Sequence, residues 1–191
     1  MIYLLDANVL IDANRDFYAI ARVPEFWEWL VFKGQSDEIK IPLEVYEELS
    51  NGDDDLAQWI KNPINREALT LDEEVDIELV RIVLRDGYAT DLSDEEVERL
   101  GRDPFLIAYA LKNDGSRCVV TSEVSKPKKQ RANKHVPDVC NDLNIPWCHT
   151  FEFIRKLGFS TNWRNIIPPS YIAQPLFGDI QSGRENLTSP D

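Results

Sequence analysis

A chain of 191 residues, 43% hydrophobic and 29% charged, is long enough for one domain with a buried core and an extension. Its formal net charge of −13 excludes a general nucleic-acid binder of the usual basic kind, because phosphate neutralisation dominates that affinity; contact with nucleic acid would have to be local and helped by metal ions. The sequence has no basic leader, no run near the roughly 20 apolar residues of a membrane helix, and three cysteines (Cys118, Cys140, Cys148) without a close pair, so we expect a cytoplasmic protein without a disulfide framework or a membrane partner.

Ile2-Tyr3-Leu4-Leu5 is an apolar run of the kind buried on both faces of a parallel sheet. It ends at Asp6, two residues before Asn8. Open α/β sheets place ligands at strand carboxyl ends, and a carboxylate there needs hydrogen bonds, a cation or a metal. Asp6 equally suits the cap of a helix starting near Asn8 and running towards Asp16. Pro24 opens a helix, Glu25 to Lys33, that Gly34 is expected to stop, with Phe26, Trp27, Trp29, Leu30 and Phe32 as core. Ile39 to Pro42 reads as a second strand. Leu43 to Leu49 reads as a helix closed by Asn51-Gly52, with Glu44 and Glu48 on one face and Glu47 beside it. By pattern alone those acids are an exposed surface.

Residues 53–101 read as an all-helical segment. One helix holds Leu56, Trp59 and Ile60; a second runs from a capping box at Thr70–Glu73 to Gly87; a third runs from a capping box at Ser93–Glu96 to Gly101. Asp103 as N-cap and Pro104 at the first helical position open a helix that buries Leu106, Ile107, Ala110 and Leu111 and stops at Asn113-Asp114-Gly115. Arg117 to Thr121 is another buried strand, and again an acid follows it, Glu123. Ser125 to Asn133 is the one strongly basic run, a loop whose Lys126, Lys128, Lys129 and Arg131 are either solvated or in contact with phosphates. Val136 to Leu143 reads as a helix, Ile145 to Thr150 as the last strand, and Phe151 to Leu157 as a closing helix stopped by Gly158. From Ser160 the chain is rich in Pro, Asn, Ser and Gly, with Ile166, Ile167, Tyr171, Ile172, Leu176 and Phe177 scattered through it. This is an irregular arm, expected to pack on the domain, on a second copy or on an inhibitory protein.

The alternation of strands and helices predicts a three-layer α/β/α fold with a mostly parallel sheet of about four to five strands. It divides the chain into a domain of residues 1–158, with the helical segment inside it, and an arm of residues 159–191. A zinc site from the cysteines and His149 lacks the usual short spacing, and Cys140 and Cys148 read as small buried hydrophobes. Asp6, Glu48, Asp103 and Glu123 all fall at strand ends or in adjoining helices. Such acids share a pocket only when a divalent cation neutralises them. All-oxygen ligands select Mg²⁺ or Mn²⁺, and the chemistry they support is phosphodiester hydrolysis.

The stretches Leu5–Ile11 (LDANVLI), Val45–Leu49 (VYEEL), Asp103–Ala110 (DPFLIAYA) and Val119–Glu123 (VVTSE) together resemble the PIN domain, over roughly residues 1–158. PIN domains are metal-dependent ribonucleases, commonly the toxins of bacterial and archaeal toxin–antitoxin pairs. The resemblance implies that Asp6, Glu48, Asp103 and Glu123 are catalytic, that Asp6, Asp103 and Glu123 hold Mg²⁺ or Mn²⁺, and that Asn8 and Thr121 are polar support. It also implies an RNA substrate, whereas the choice of target and the partner do not transfer; an antitoxin partner or a homodimer is the expectation raised by the apolar residues of the arm. The chain departs from the family in having Glu123 where Asp is more usual, and in the segment 53–101 and the arm, which exceed a minimal toxin. Two alternatives stand beside it: a haloacid-dehalogenase-like phosphatase, which needs an Asp where this chain has Asn8, and a non-catalytic interaction module.

Overall fold

The computed structural model describes residues 1–112 and 115–166. The expected helix stop at Asn113-Asp114 and most of the arm, including Ile167, Tyr171, Ile172, Leu176 and Phe177, lie outside the described residues. Ile2–Leu5 (β1), Ile39–Lys40 (β2), Arg117–Thr121 (β3) and Trp147–His149 (β4) form one parallel sheet in the order β2-β1-β3-β4. Leu5 pairs with Val120 and Thr121 with His149, so the three longer strands finish at nearly one level. The order reverses between β1 and β3, which is where an open sheet leaves a crevice at its carboxyl edge.

Between the strands run α1 (Ala7–Asp12), α2 (Pro24–Gln35), α3 (Leu43–Ser50), α4 (Asp55–Lys61), α5 (Pro63–Leu69), α6 (Ile77–Ile82), α7 (Asp94–Leu100), α8 (Asp103–Leu111) and α9 (Val136–Asp142), and α10 (Thr150–Lys156) follows β4. α2 and α10 cover one face of the sheet, where Phe153 meets both Tyr3 and Trp29. α8 and α9 pack on β3 from the other, completing a three-layer α/β/α fold. Wide π turns extend α1 over Ala13–Phe17 and α6 over Val83–Tyr88. The aromatic residues of α2 are core, with Phe26, Trp27 and Trp29 almost fully buried. The three cysteines are free and buried, Cys118 Sγ lying 3.7 Å from Cys148 Sγ. Among the described residues no helix is long and apolar enough to cross a membrane.

Several boundaries differ from expectation. Gly34 does not stop α2; it is buried inside the helix, where α2 packs on α5. Thr70 does not open a capping box. It forms a parallel bridge with Ile41, whose backbone bonds to Leu69 and Leu71, so the helix begins only at Ile77, where the Asp76 carboxylate accepts from the Glu78 amide. α5 is a further helix between the one expected over Leu56, Trp59 and Ile60 and the one expected from Thr70, and its start is set by Pro63 and by Asn62, which caps the Ile64 amide. The box at Ser93–Glu96 forms as expected, with both reciprocal bonds present.

Candidate active site

Asp6 follows the last residue of β1 in an extended conformation that aims its side chain across the sheet edge, and it is only 4% exposed. The helix cap read for it is formed, and its second oxygen is bonded across the sheet. One carboxylate oxygen accepts a long bond, 3.4 Å, from the Asn8 amide at the start of α1; the other accepts from the Thr121 hydroxyl at 2.7 Å. Thr121, fully buried at the end of β3, accepts in turn from the Glu123 amide at 3.2 Å. Burial pushes Asp6 up to about 6, the bonds from Thr121 and Asn8 oppose that rise, and Glu123 and Glu48 add to it.

Asp103 reaches the same edge by a different route. Gly101 takes φ +57°, a left-handed turn that favours glycine, and Arg102 becomes the N-cap. Asp103 is therefore the first residue of α8 and not its cap, and no side chain caps this helix. Its carboxylate is left among other acids. Burial first, then Asp6, Glu123 and Glu48, raise it well above the usual carboxylate range. Asp6, Asn8, Glu48 and Asp103 line one open cleft of about 680 Å³, with exposed Glu48 projecting from α3.

Glu123 lies within electrostatic reach of this cleft but does not line it. Its carboxylate accepts from the Val136 amide at 2.7 Å and sits 3.6 Å from His135 Nδ1, holding the start of α9. The four acids expected to form one site divide into two desolvated carboxylates, Asp6 and Asp103, one exposed neighbour, Glu48, and one acid, Glu123, committed to a helix. Among the described residues no group of three or more His, Cys, Asp or Glu forms a ready-made metal cage.

Three residues at this site escaped the sequence reading. Arg99 and Arg102 line the cleft on either side of Gly101, and Arg102 is 3.9 Å from Glu47. Two arginines bracketing the glycine just before Asp103 were the available signal. Tyr88 ends the π turn after α6; its ring is 5% exposed, and its hydroxyl is buried without a hydrogen-bond partner. Burial raises its pKa, and Asp103, Cys140, Glu123 and Asp6 all push the same way, which puts the phenol within electrostatic reach of the acids. Gly87 makes this placement feasible: a Cβ there would lie 2.6 Å from Val139 of α9. A helical hydrophobic pattern that changes pitch into a π turn gives no hint of this in sequence.

The basic loop splits in two. Lys126, Lys128 and Lys129 are exposed, and among the described residues no acid pairs with their ammonium groups. Arg131 is not free for phosphate. Its guanidinium binds both Glu96 carboxylate oxygens at 2.8 and 2.7 Å and the Asp91 side chain at 2.6 Å, fastening the loop to the start of α7. Buried Asp138 holds the other end, accepting from the Ser125 hydroxyl and, at 2.8 Å, from the Lys126 amide.

Residues 3–161 match the family described as a domain of unknown function, DUF4411, and the chain belongs to that family. No curated protein and no solved structure matches it.

Proposed function

We propose that the chain is a metal-dependent endoribonuclease of the PIN type that hydrolyses RNA phosphodiester bonds in the cytoplasm. One observation carries this reading: two carboxylates, Asp6 and Asp103, are desolvated beside each other at the sheet's switch point, with no protein cation paired to either among the described residues. Charges arranged in this way call for a cation from outside. The donor set fits Mg²⁺ or Mn²⁺, because such ions bind through one or two carboxylates together with waters and substrate phosphates, and need no cage of three protein ligands. Asp6 and Asp103 would hold the ion, which when bound neutralises charge and lowers the pKa of a water.

The protein's own groups supply the rest. Thr121 fixes the rotamer of Asp6 through its 2.7 Å bond, and Asn8, exposed on the cleft wall, offers an amide to a ribose or phosphate oxygen. Arg99 and Arg102 meet the phosphate, with Lys126, Lys128 and Lys129 following the strand outside the cleft. Glu48 accepts a proton from the attacking water at its exposed carboxylate. Glu123 acts on the site through its charge and through Thr121, and Arg131 is removed from the RNA contacts. The toxin role follows from the family resemblance alone, and an antitoxin partner or a homodimer from the apolar residues of the arm. The free, buried cysteines suit a reducing compartment.

Incubating the full chain with mixed RNA and Mn²⁺ tests the reading. The wild type is expected to cut and Asp6→Asn to lose nearly all cutting; equal cutting by both, or none by the wild type, contradicts it.

A further inference from the structure

Beside the acid cleft, on the same edge of the sheet, lies a smaller cavity of about 210 Å³. Its lining comes from the end of α1 and the π turn after it, from Ser122 just beyond β3, and from His149, Thr150 and Phe151 where β4 enters α10. Consecutive residues at the end of β3 tie the two places together. Thr121 donates to Asp6 at 2.7 Å, and the Ser122 hydroxyl donates to Asp12 at 2.5 Å.

The rim is aromatic and open to solvent. Phe17 is 53% exposed and Phe151 40%. Their rings meet edge to face at 5.1 Å, and the His149 ring stacks on Phe151 with 27° between planes. Polar groups interrupt these flat surfaces. Thr150 is only 8% exposed and its buried hydroxyl has no partner in the fold. A hydroxyl left so is costly unless a ligand meets it. Arg15 adds a cation at the mouth, held by Asp12 at 2.7 Å and by Asp16. Flat apolar walls with a few placed polar groups are how a protein orients a ring. The volume lies below the roughly 300–1,000 Å³ of pockets for drug-sized ligands, which limits the occupant to one ring system.

We propose that this cavity is a nucleobase subsite, in which one base of single-stranded RNA stacks on Phe151, with Phe17 against its edge, and meets the Thr150 hydroxyl while the adjoining phosphate lies in the acid cleft. That the strand is RNA rests on the ribonuclease reading above. Stacking supplies sequence-tolerant affinity that needs no positive charge, which suits a chain of net charge −13 gripping a polyanion.

The test uses the full chain without divalent metal, so that no strand is cut, and two labelled probes: a short single-stranded RNA of mixed sequence and a ribose-phosphate strand of equal length without bases. Phe151→Ala is expected to weaken RNA binding roughly tenfold or more and to leave the abasic strand unaffected, with Phe151→Trp restoring the RNA affinity. Unchanged RNA affinity in Phe151→Ala overturns the proposal, as does an equal loss on both strands. Phe151→Leu, which keeps the apolar bulk, should melt with the wild type yet share the binding loss; wild-type affinity in that variant also overturns it. Cutting of RNA in Mn²⁺ without base-dependent binding would sink the subsite and spare the ribonuclease. Base-dependent binding without any cutting would do the reverse.

Discussion

Arg117 and Asp6 are both buried charges on the central pair of strands, at opposite ends, and the protein treats them in opposite ways. Arg117 opens β3 across from Ile2 and is 1% exposed. Its guanidinium pairs with Glu73 and donates to the Tyr109 carbonyl at 2.9 Å. The chain between α5 and α6 delivers that counterion from 44 residues away in sequence. At the other end, Asp6 receives only a hydroxyl and a long amide bond, and its nearest charged neighbours are acids. The fold can therefore pair a buried ion, and among the described residues it gives Asp6 and Asp103 no counterion. Local rules broken at one edge and obeyed at the other support the proposal that the broken edge is the active one.

Asp103→Asn breaks the contrast at its functional end. Cutting of RNA in Mn²⁺ should fall at least about a hundredfold, the order expected when a transition-state electrostatic partner is removed. The melting temperature should hold or rise, because a desolvated, repelled charge has gone and no cap bond is lost. A clear drop in melting temperature would mean that Asp103 is structural. Glu73→Ala breaks the contrast at its structural end. It strips Arg117 of its counterion, and the loss should be about 2–3 kcal/mol, since the pair is partly open on the Glu73 side and the Tyr109 carbonyl stays in place. Calorimetry should then show melting roughly 5–10 °C lower. Cutting per folded molecule should be unchanged.

The same comparison has a pH signature of smaller size. The pKa of Asp6 is raised on folding from 3.8 to about 6, so its contribution to stability is fully present below about pH 3.8 and lost as pH rises through about 6. Asp103 is shifted in the same direction. Lowering the pH of the metal-free protein from 7 to 5 should therefore stabilise it by about 1 kcal/mol from Asp6 alone. Denaturant melts of wild type and Asp6→Asn at both pH values measure this. The gain should shrink in the variant.

How far the sequence revealed this site depended on whether each signal was local. Asp6 and Thr121 were legible because an apolar run ending in a polar residue marks a strand's carboxyl end, and the sheet brings both ends to one level. The helix of Asp103 was legible too, but not its role there. Pro104 suits the second helical position as well as the first, and Gly101 turns the chain so that Arg102 takes the cap. Thr70 and Glu73 looked like a capping box until the long-range bridge to Ile41 claimed Thr70 and Arg117 claimed Glu73. Arg131 read as a free cation because its acids, Asp91 and Glu96, lie 40 and 35 residues upstream. Tyr88 was hidden by the π turn, and the Phe17–Phe151 rim by the distance between its two halves.

The most direct test of the unsatisfied edge is thermal melting of the full chain at pH 7 with increasing Mn²⁺, for wild type and for Asp6→Asn/Asp103→Asn. A cation that binds only the folded protein stabilises it by mass action, about 2.7 kcal/mol at a hundred times its dissociation constant. The wild type should melt progressively higher as Mn²⁺ is added, and the double variant, already relieved of the repulsion, should not respond. A wild type indifferent to millimolar Mn²⁺, or a double variant that rises equally, would contradict the account.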